Sequence, residues 1–291
     1  MSRSLAAPRV AQRGVRLKWW LGLVGRLATH AVLIAVCLVV AVPFLWMIKV
    51  SVSPEQDVYT FPPTALPHTL QWSNWPDAWT NVNFPRYFLN SAIMTVTVTL
   101  GNLLVCAMAA YSFARMKVPG RDAIFLVVLA SIMIPGQVLI IPQFLIMTWL
   151  GWVNTYWALI VPPIGSAFGV FLLRQFFLQI PGDLEDAARI DGCGWFGVFF
   201  RIILPLASSG LIALGLLTAL GIWNAFLWPL IVTTSQDMFP VQIGLRLFYS
   251  DNFQKWGMTM AATCFVTIPV LILFIIGQRY LVRGIVMTGF K

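Results

Sequence analysis

Four carboxylates fall within nine residues, Asp183, Glu185, Asp186 and Asp191, in a 291-residue chain with only ten acids in all. Acids so placed either keep a helix-turn solvated or offer charge to a basic partner. Other chemistry is thinly provided. None of the five lysines follows a glycine, so a GxxxxGK[ST] phosphate loop is absent and the chain does not bind ATP in that manner. HExxH and GxSxG are absent too. The only histidines are His30 and His68, and a lone histidine near a helix start is more often packed or interfacial than a ligand. Cys37, Cys106, Cys193 and Cys264 have neither CxxC spacing for zinc nor the look of a disulfide framework, and read as packing residues. No catalytic residue, metal or cofactor is expected in this chain.

Read locally, residues 181–205 form a helix-turn with a marked start and stop. Pro181 and Gly182 break the preceding helix, and Asp183 is placed as an N-cap with Asp186 three residues on, a variant of the capping box. Glu185 and Asp186 fall in the first turn, where the helix dipole favours negative charge. Leu184, Ala187, Ala188 and Asp191 follow 3-4 spacing, which makes Ala187 and Ala188 a shallow patch open to close approach. Gly192-Cys193-Gly194 ends this helix. A second, aromatic-rich helix from Trp195 to Ile203 then leads to Pro205.

The elements that must hold this turn are apolar. The chain is 59% hydrophobic and 10% charged, with a mean hydropathy of +0.83, whereas a globular domain carries about 25% charged residues. Lipid is the implied solvent. Stretches free of Asp, Glu, Lys and Arg run over 27–48, 87–114, 123–173, 202–236 and 256–278. A span needs roughly 20 apolar residues, and the third stretch divides at "LGWVNTYW" (Leu150 to Trp157), an interfacial type of segment. The reading is an all-α integral membrane protein with six transmembrane helices near 27–48, 87–111, 123–147, 156–177, 207–233 and 258–281. The first span has too long an apolar core for a cleaved signal and is read as retained.

Basic residues set the orientation. Residues 1–26, 112–122, 174–205 and the C-terminal tail hold 15 of the 19 Lys and Arg; the opposite side holds Lys49, Arg86, Arg246 and Lys255. Both termini and the acidic turn are therefore expected on the cytoplasmic side. The net charge of +9 follows from this topology, and no nucleic-acid partner is needed. The basic arm, residues 1–26, reads as an orientation signal, with anionic membrane lipid as a second use. The spans hold no Asp or Glu, so a carboxylate ion relay is missing and the energy source should lie in another subunit.

Here the sequence resembles the membrane subunits of binding-protein-dependent ABC importers. Their signature reads EAA, three residues, Gly, nine residues, Ile-x-Leu-Pro. This chain has Asp186-Ala187-Ala188, Gly192 and Ile202-Ile203-Leu204-Pro205 with both spacings intact, Asp186 standing for the nominal Glu and Glu185 just before it. "AAYSFARMKVPGRD" (Ala109 to Asp122), "MIPGQVLIIPQF" (Met133 to Phe144), "GWVNTYWALIVPP" (Gly151 to Pro163) and "WNAFLWPL" (Trp223 to Leu230) are similar to carbohydrate-uptake permeases of the maltose/multiple-sugar type, specifically the G-type subunit. The resemblance covers about 27–291. It implies that 181–205 is a coupling helix-turn, between spans four and five, that docks in a cleft of an ATPase subunit, its carboxylate pairing with a basic residue there. It also implies a second homologous permease subunit, two ATPase subunits that bind ATP and Mg, and an extracytoplasmic solute-binding protein. The tail "RGIVMTGFK" (Arg283 to Lys291) is then expected to reach towards the ATPase; a frayed basic tail is the plainer alternative.

Sugars are held by hydrogen bonds to hydroxyls and by aromatic faces. Polar residues inside spans are costly and face a cavity or a neighbouring helix. Asn224 lies between Trp223 and Phe226, with Trp228 one turn on, Gly221 one turn before and Pro229 able to kink the helix. Gln137 lies beside Pro135-Gly136. These residues could line a substrate path or serve interhelical packing. The outer loop, residues 50–86, carries Trp72, Trp75 and Trp79. It is too long for a simple turn and could dock the solute-binding protein, with loop 234–257, or rest on the membrane surface. The expected function is a sugar or oligosaccharide permease. Its alternatives are the same type of importer for glycerol phosphate or its diesters, an ion-coupled carrier acting alone, and a scaffold without a transport role.

Overall fold

The computed structural model describes residues 10–248 and 255–286, with side chains described from Leu23 to Phe248 and from Lys255 to Gln278. Residues 1–9 of the basic arm and 287–291 of the tail lie outside the described residues. The described residues are helical, with no strand among them. The first helix, α1, runs from Val10 to Ser51, so residues 10–26 of the arm continue the first span as helix. From Leu23 to Ser51 it is apolar on every side and almost wholly uncovered by the rest of the chain, the pattern of a helix whose solvent is lipid. It packs on the last helix, α11 (Trp256–Val286).

The outer loop is folded. It contains α2 (Asn74–Thr80), and the buried Asn74 amide donates to Ser51 O and Ser53 O at 3.1 and 3.0 Å. Asp57 accepts from the His68 backbone N–H at 2.7 Å and lies 2.9 Å from its Nδ1. Those bonds, the backbone N–H first, hold the Asp57 carboxyl below its usual range.

The centre is α3 (Phe84–Arg115). Its buried positions Tyr87, Ser91, Met94, Val98, Asn102 and Cys106 recur every three or four residues, one helical face. That face is covered by the later helices α6 (Ala167–Leu178) and α8 (Ser208–Trp223), and near its start by α10 (Val241–Leu247). Next come α4 (Arg121–Ala130) and α5 (Gly136–Trp149), which meet at 100°. The sequence predicts one helix near 123–147, and the structure divides it. Pro135 explains the elbow: it has no N–H and drives Ile134 out of the helical region, to φ −82° and ψ 116°.

The expected helix over 156–177 is also divided. A short turn of helix, Tyr156–Ile160, is followed by Pro162-Pro163 and by Gly165 at φ +87°, and α6 then runs only from Ala167 to Leu178. Ser166 caps it by accepting from Gly169 N. Twelve residues rise about 18 Å, short of a roughly 30 Å hydrocarbon layer. After α7 (Asp183–Ile190) comes an irregular helix over Trp195–Leu206, bent by 77° from α8 (Ser208–Trp223).

The expected fifth span, 207–233, does not continue through Asn224. The helix stops at Trp223 and restarts as α9 (Leu227–Val232). Pro229 would clash with the carbonyl of Ala225 in a continuous helix, and the chain leaves the helix there. The chain then forms α10 (Val241–Leu247), pressed so closely on α3 that a Cβ at Gly244 would collide with the Tyr87 ring. It ends in α11 (Trp256–Val286). Three described helices are long and apolar enough to cross a membrane, and the two bent pairs raise that to five.

Candidate functional site

The helix-turn is built as expected in outline and differently in detail. α7 begins at Asp183, but Gly182 occupies the cap position and no side chain caps the helix, so Asp183 is not the N-cap. Gly182 already has helical angles, φ −63° and ψ −31°, and its carbonyl accepts the Glu185 and Asp186 amides at 2.9 and 3.1 Å. The three acids of the first turn still complement the exposed N–H groups of the helix end.

The stop is a Schellman motif. Gly192 takes φ +86°, its N–H donates to Arg189 O at 3.0 Å, and the Cys193 N–H donates to Ala188 O at 2.9 Å. An added Cβ at Gly192 meets nothing; the requirement is the left-handed backbone. Gly192→Ala should cost about 1–2 kcal/mol of local stability. Deuterium exchange in the peptide spanning 186–196 should quicken without unfolding elsewhere.

The two faces of α7 differ. Glu185 and Ala188 are buried at 4% and 7% exposure, whereas Leu184, Asp186, Ala187 and Ile190 are exposed, Ile190 at 87%. The expected shallow patch of Ala187 and Ala188 is therefore split, because Ala188 packs into this chain's own core. That core also takes Tyr111, Phe177, Val198, Phe199 and Ile203. Of the segment 202–205, Ile202 and Leu204 are partly buried and Pro205 is exposed, while the fully buried member is Ile203. Between Phe199 and Ile203 the helix widens to a π-turn, with Leu204 N–H donating to Phe199 O. The wider turn precedes Pro205, whose ring a normal turn would drive against Arg201 O.

Glu185 is tied inward by Arg115, at the end of α3. Arg115 Nε lies 2.7 Å from Glu185 Oε1, an ion pair held by charge rather than by an aligned N–H bond. Arg115 Nη2 donates to Phe177 O at 2.7 Å and to Ile180 O. Tyr111 Oη donates weakly to Glu185 Oε2 at 3.5 Å, and Arg189 Nη2 lies 4.0 Å from it. In return, Arg174 of α6 donates through Nε to Phe113 O of α3 at 3.1 Å and stacks 4.3 Å from the Phe125 ring. Sequence reasoning did not single out Arg115. Its signal was a cation closing an apolar helix, and that signal was absorbed into the orientation rule.

A second polar place lies at the break between α8 and α9. Asn224 ends α8, is exposed, and donates to Leu220 O at 2.9 Å. Gln242 of α10 donates to Asn224 Oδ1 at 3.2 Å and to Trp223 O at 3.5 Å. Gln242 was missed because its partner is 18 residues away in sequence. Ser91 Oγ of α3 fixes α10 by accepting from Val241 N at 2.8 Å, and Asn90 donates to Asp237 O and Phe239 O just before it. Trp223 is buried with its indole N–H on Val266 O, and Trp228 donates to Ala158 O, so both serve packing between helices. Gln137 is exposed in the first turn of α5, and among the described residues it bonds to neither Asn224 nor Gln242. No cluster of three or more His, Cys, Asp or Glu suited to a metal occurs among the described residues.

Residues 101–287 match the model of the family described as binding-protein-dependent transport system inner membrane component. The chain is 37% identical over 252 residues to the arabinooligosaccharides transport system permease protein AraQ of Halalkalibacterium halodurans, covering 86% of this chain and 90% of that protein. It is 31% identical over 266 residues to the sn-glycerol-3-phosphate transport system permease protein UgpE of Pectobacterium atrosepticum, covering 89% and 95%. The crystal structure of a bacterial ABC transporter involved in the import of the acidic polysaccharide alginate contains a chain of the same fold. It superposes with a TM-score of 0.77 over 96% of this chain and 99% of that one, at 21% identity.

Proposed function

The chain belongs to the family of binding-protein-dependent transport system inner membrane components, and from that membership we propose that it is the permease subunit of an ABC importer for a neutral sugar or oligosaccharide. With a second, homologous permease it forms a path that opens alternately to the two sides. ATP and Mg are bound by two partner ATPase subunits, and an extracytoplasmic protein delivers the solute. The chain itself hydrolyses nothing. Residues 27–282 are the transmembrane unit and cross six times if each bent pair, and the stretch 156–178, is one crossing. Residues 1–26 and 283–291 then lie in the cytoplasm, and α7 faces the ATPase.

The observation that carries this reading is the outward face of α7. Ile190 is 87% exposed on a helix that also presents Asp183 and Asp186 to solvent. An apolar side chain left open beside charges suits a cleft with a hydrophobic floor and a basic rim. The glycine stop and buried Ala188 hold that face rigid.

The sugar class is supported by the Asn224–Gln242 pair, two neutral amides, Asn224 exposed at the break of the fifth apolar span and Gln242 half-buried on the neighbouring α10. Polar groups at such depth face a path or a partner helix, and amides match hydroxyls without needing charge. The arabinooligosaccharide relative points the same way at 37% identity, and the glycerol phosphate relative keeps the phosphate reading in view at 31%. The test is to purify the chain alone and with its partner permease and ATPase. The lone chain should show no ATP turnover, and the assembly should hydrolyse ATP and respond to the solute-loaded binding protein. Screening that binding protein against neutral oligosaccharides and glycerol 3-phosphate decides the class; binding of the phosphate ester alone would replace the sugar reading.

A further inference from the structure

Two of the acids on α7, adjacent in sequence, point to opposite sides. Asp186 is exposed, whereas Glu185 is 4% exposed and ion-paired with Arg115 of α3. Arg115 is itself only 16% exposed, and the same guanidinium holds Phe177 O and Ile180 O, the carbonyls that end α6 and the turn beyond it. Arg174 answers from α6 by donating to Phe113 O of α3. The ends of α3 and α6 are thus crossed by two arginines, and α7 is attached to the crossing by one carboxylate.

We infer that Glu185 is a positioning residue rather than a contact for the ATPase: its ion pair with Arg115 fastens the docking helix to the ends of α3 and α6, so that displacement of α7 is delivered to those two helices. Separating a buried pair would leave an unpaired charge in a poorly solvated place, so the pair moves as one body. Arginine suits the role because its planar fork reaches a carboxylate and two carbonyls at once, which lysine's single ammonium does not. Ala188 adds a second anchorage one turn on, and Arg189 stacks 4.1 Å from the Trp195 ring, joining α7 to the next helix. α8, which ends at the break marked by Asn224, packs on both α3 and α6. The attachment therefore lies on a continuous packed route from the docking face to the break.

This inference rests on the permease reading, and its test separates the two. The probe is nucleotide alone, with the chain assembled with its partner permease and ATPase in nanodiscs. Cys37 and Cys193 are replaced by alanine, and Gly221→Cys, where an added Cβ meets nothing within 4 Å, reports on the break. Maleimide labelling of the reporter is measured with and without ATP, Mg and vanadate. In the parent, trapping changes the labelling rate. Glu185→Gln should still co-purify with an active ATPase, yet its nucleotide-dependent change should shrink by about fivefold or more. Arg115→Lys should behave likewise, and Glu185→Asp, which keeps the charge, should recover part of the response. Asp186→Asn should instead weaken co-purification.

A full response in Glu185→Gln would overturn the inference. So would loss of the ATPase from Glu185→Gln, because Glu185 would then be a docking or folding residue. If the parent neither binds the ATPase nor responds to trapping, the permease reading itself fails.

Discussion

Arg115→Leu is expected to prevent the chain from accumulating in folded form. The substitution leaves Glu185 charged, buried and without its 2.7 Å partner, and strips the Phe177 and Ile180 carbonyls of their donor. Breaking a buried pair from one side costs about 3–5 kcal/mol, a large share of the roughly 5–15 kcal/mol that holds a typical domain together. Arg189, 4.0 Å away and half out in solvent, is too distant and too hydrated to take over. The second substitution sharpens the expectation. Arg115→Leu with Glu185→Leu removes both charges, and should recover part of the loss because no buried ion remains unpaired. Detergent extracts heated in steps and followed by fluorescence-detected size exclusion give the order: parent, double variant, single variant. Equal melting of the parent and Arg115→Leu would show that the pair contributes nothing.

The second large effect is on assembly. Asp186→Arg with Ile190→Asp rewrites the exposed face of α7 without touching its buried one. Exposed positions of this kind seldom change stability by more than about 0.5 kcal/mol, so the chain should still fold and insert. Its hold on the ATPase should fall by about 30- to 1,000-fold, the range of a lost interface hot spot of roughly 2–4 kcal/mol. Ile190 supplies the apolar anchor and Asp186 the charge, and both are reversed in character. Immobilised nanodiscs titrated with the ATPase measure the affinity directly. Unchanged affinity would move the docking surface away from α7. Reversing Glu185 together with Asp186 would mix two effects, a broken internal pair and a lost docking charge.

What was legible in the sequence was whatever depends on local chemistry. The lipid-exposed α1, the long central α3 and the final α11 follow from runs of apolar residues that water cannot solvate. The helix-turn over 181–205 follows from Pro181-Gly182 before it and Gly192 after it, and the helix does stop there, with Gly192 in the left-handed conformation. The family likeness lay in those same residues and their spacing, and the chain does belong to that family. Composition also disclosed where the spans contain Pro135, Pro162-Pro163 and Pro229, though not how far the chain would bend. A proline removes one bond and one conformation locally, which marks the place of the elbow between α4 and α5 but not its 100° angle.

The tertiary structure decided which way each side chain faces and what it meets. Glu185 and Asp186 are neighbours with the same charge and nearly the same propensity, and nothing local distinguishes them. A helix turns about 100° per residue, so once Ala188 is in the core one of the two must face inward. An inward carboxylate then needs a cation, and Arg115 lies 70 residues earlier, brought there only by α3 packing on α6. Gln242 meets Asn224 for the same reason, across α10 and the break in α8. The need for a lipid solvent, the apolar stretches and the acidic cluster were therefore written in the sequence, because they depend on neighbours along the chain. The division of that cluster into an internal fastening and an outward docking face was not, because burial and pairing depend on neighbours in space.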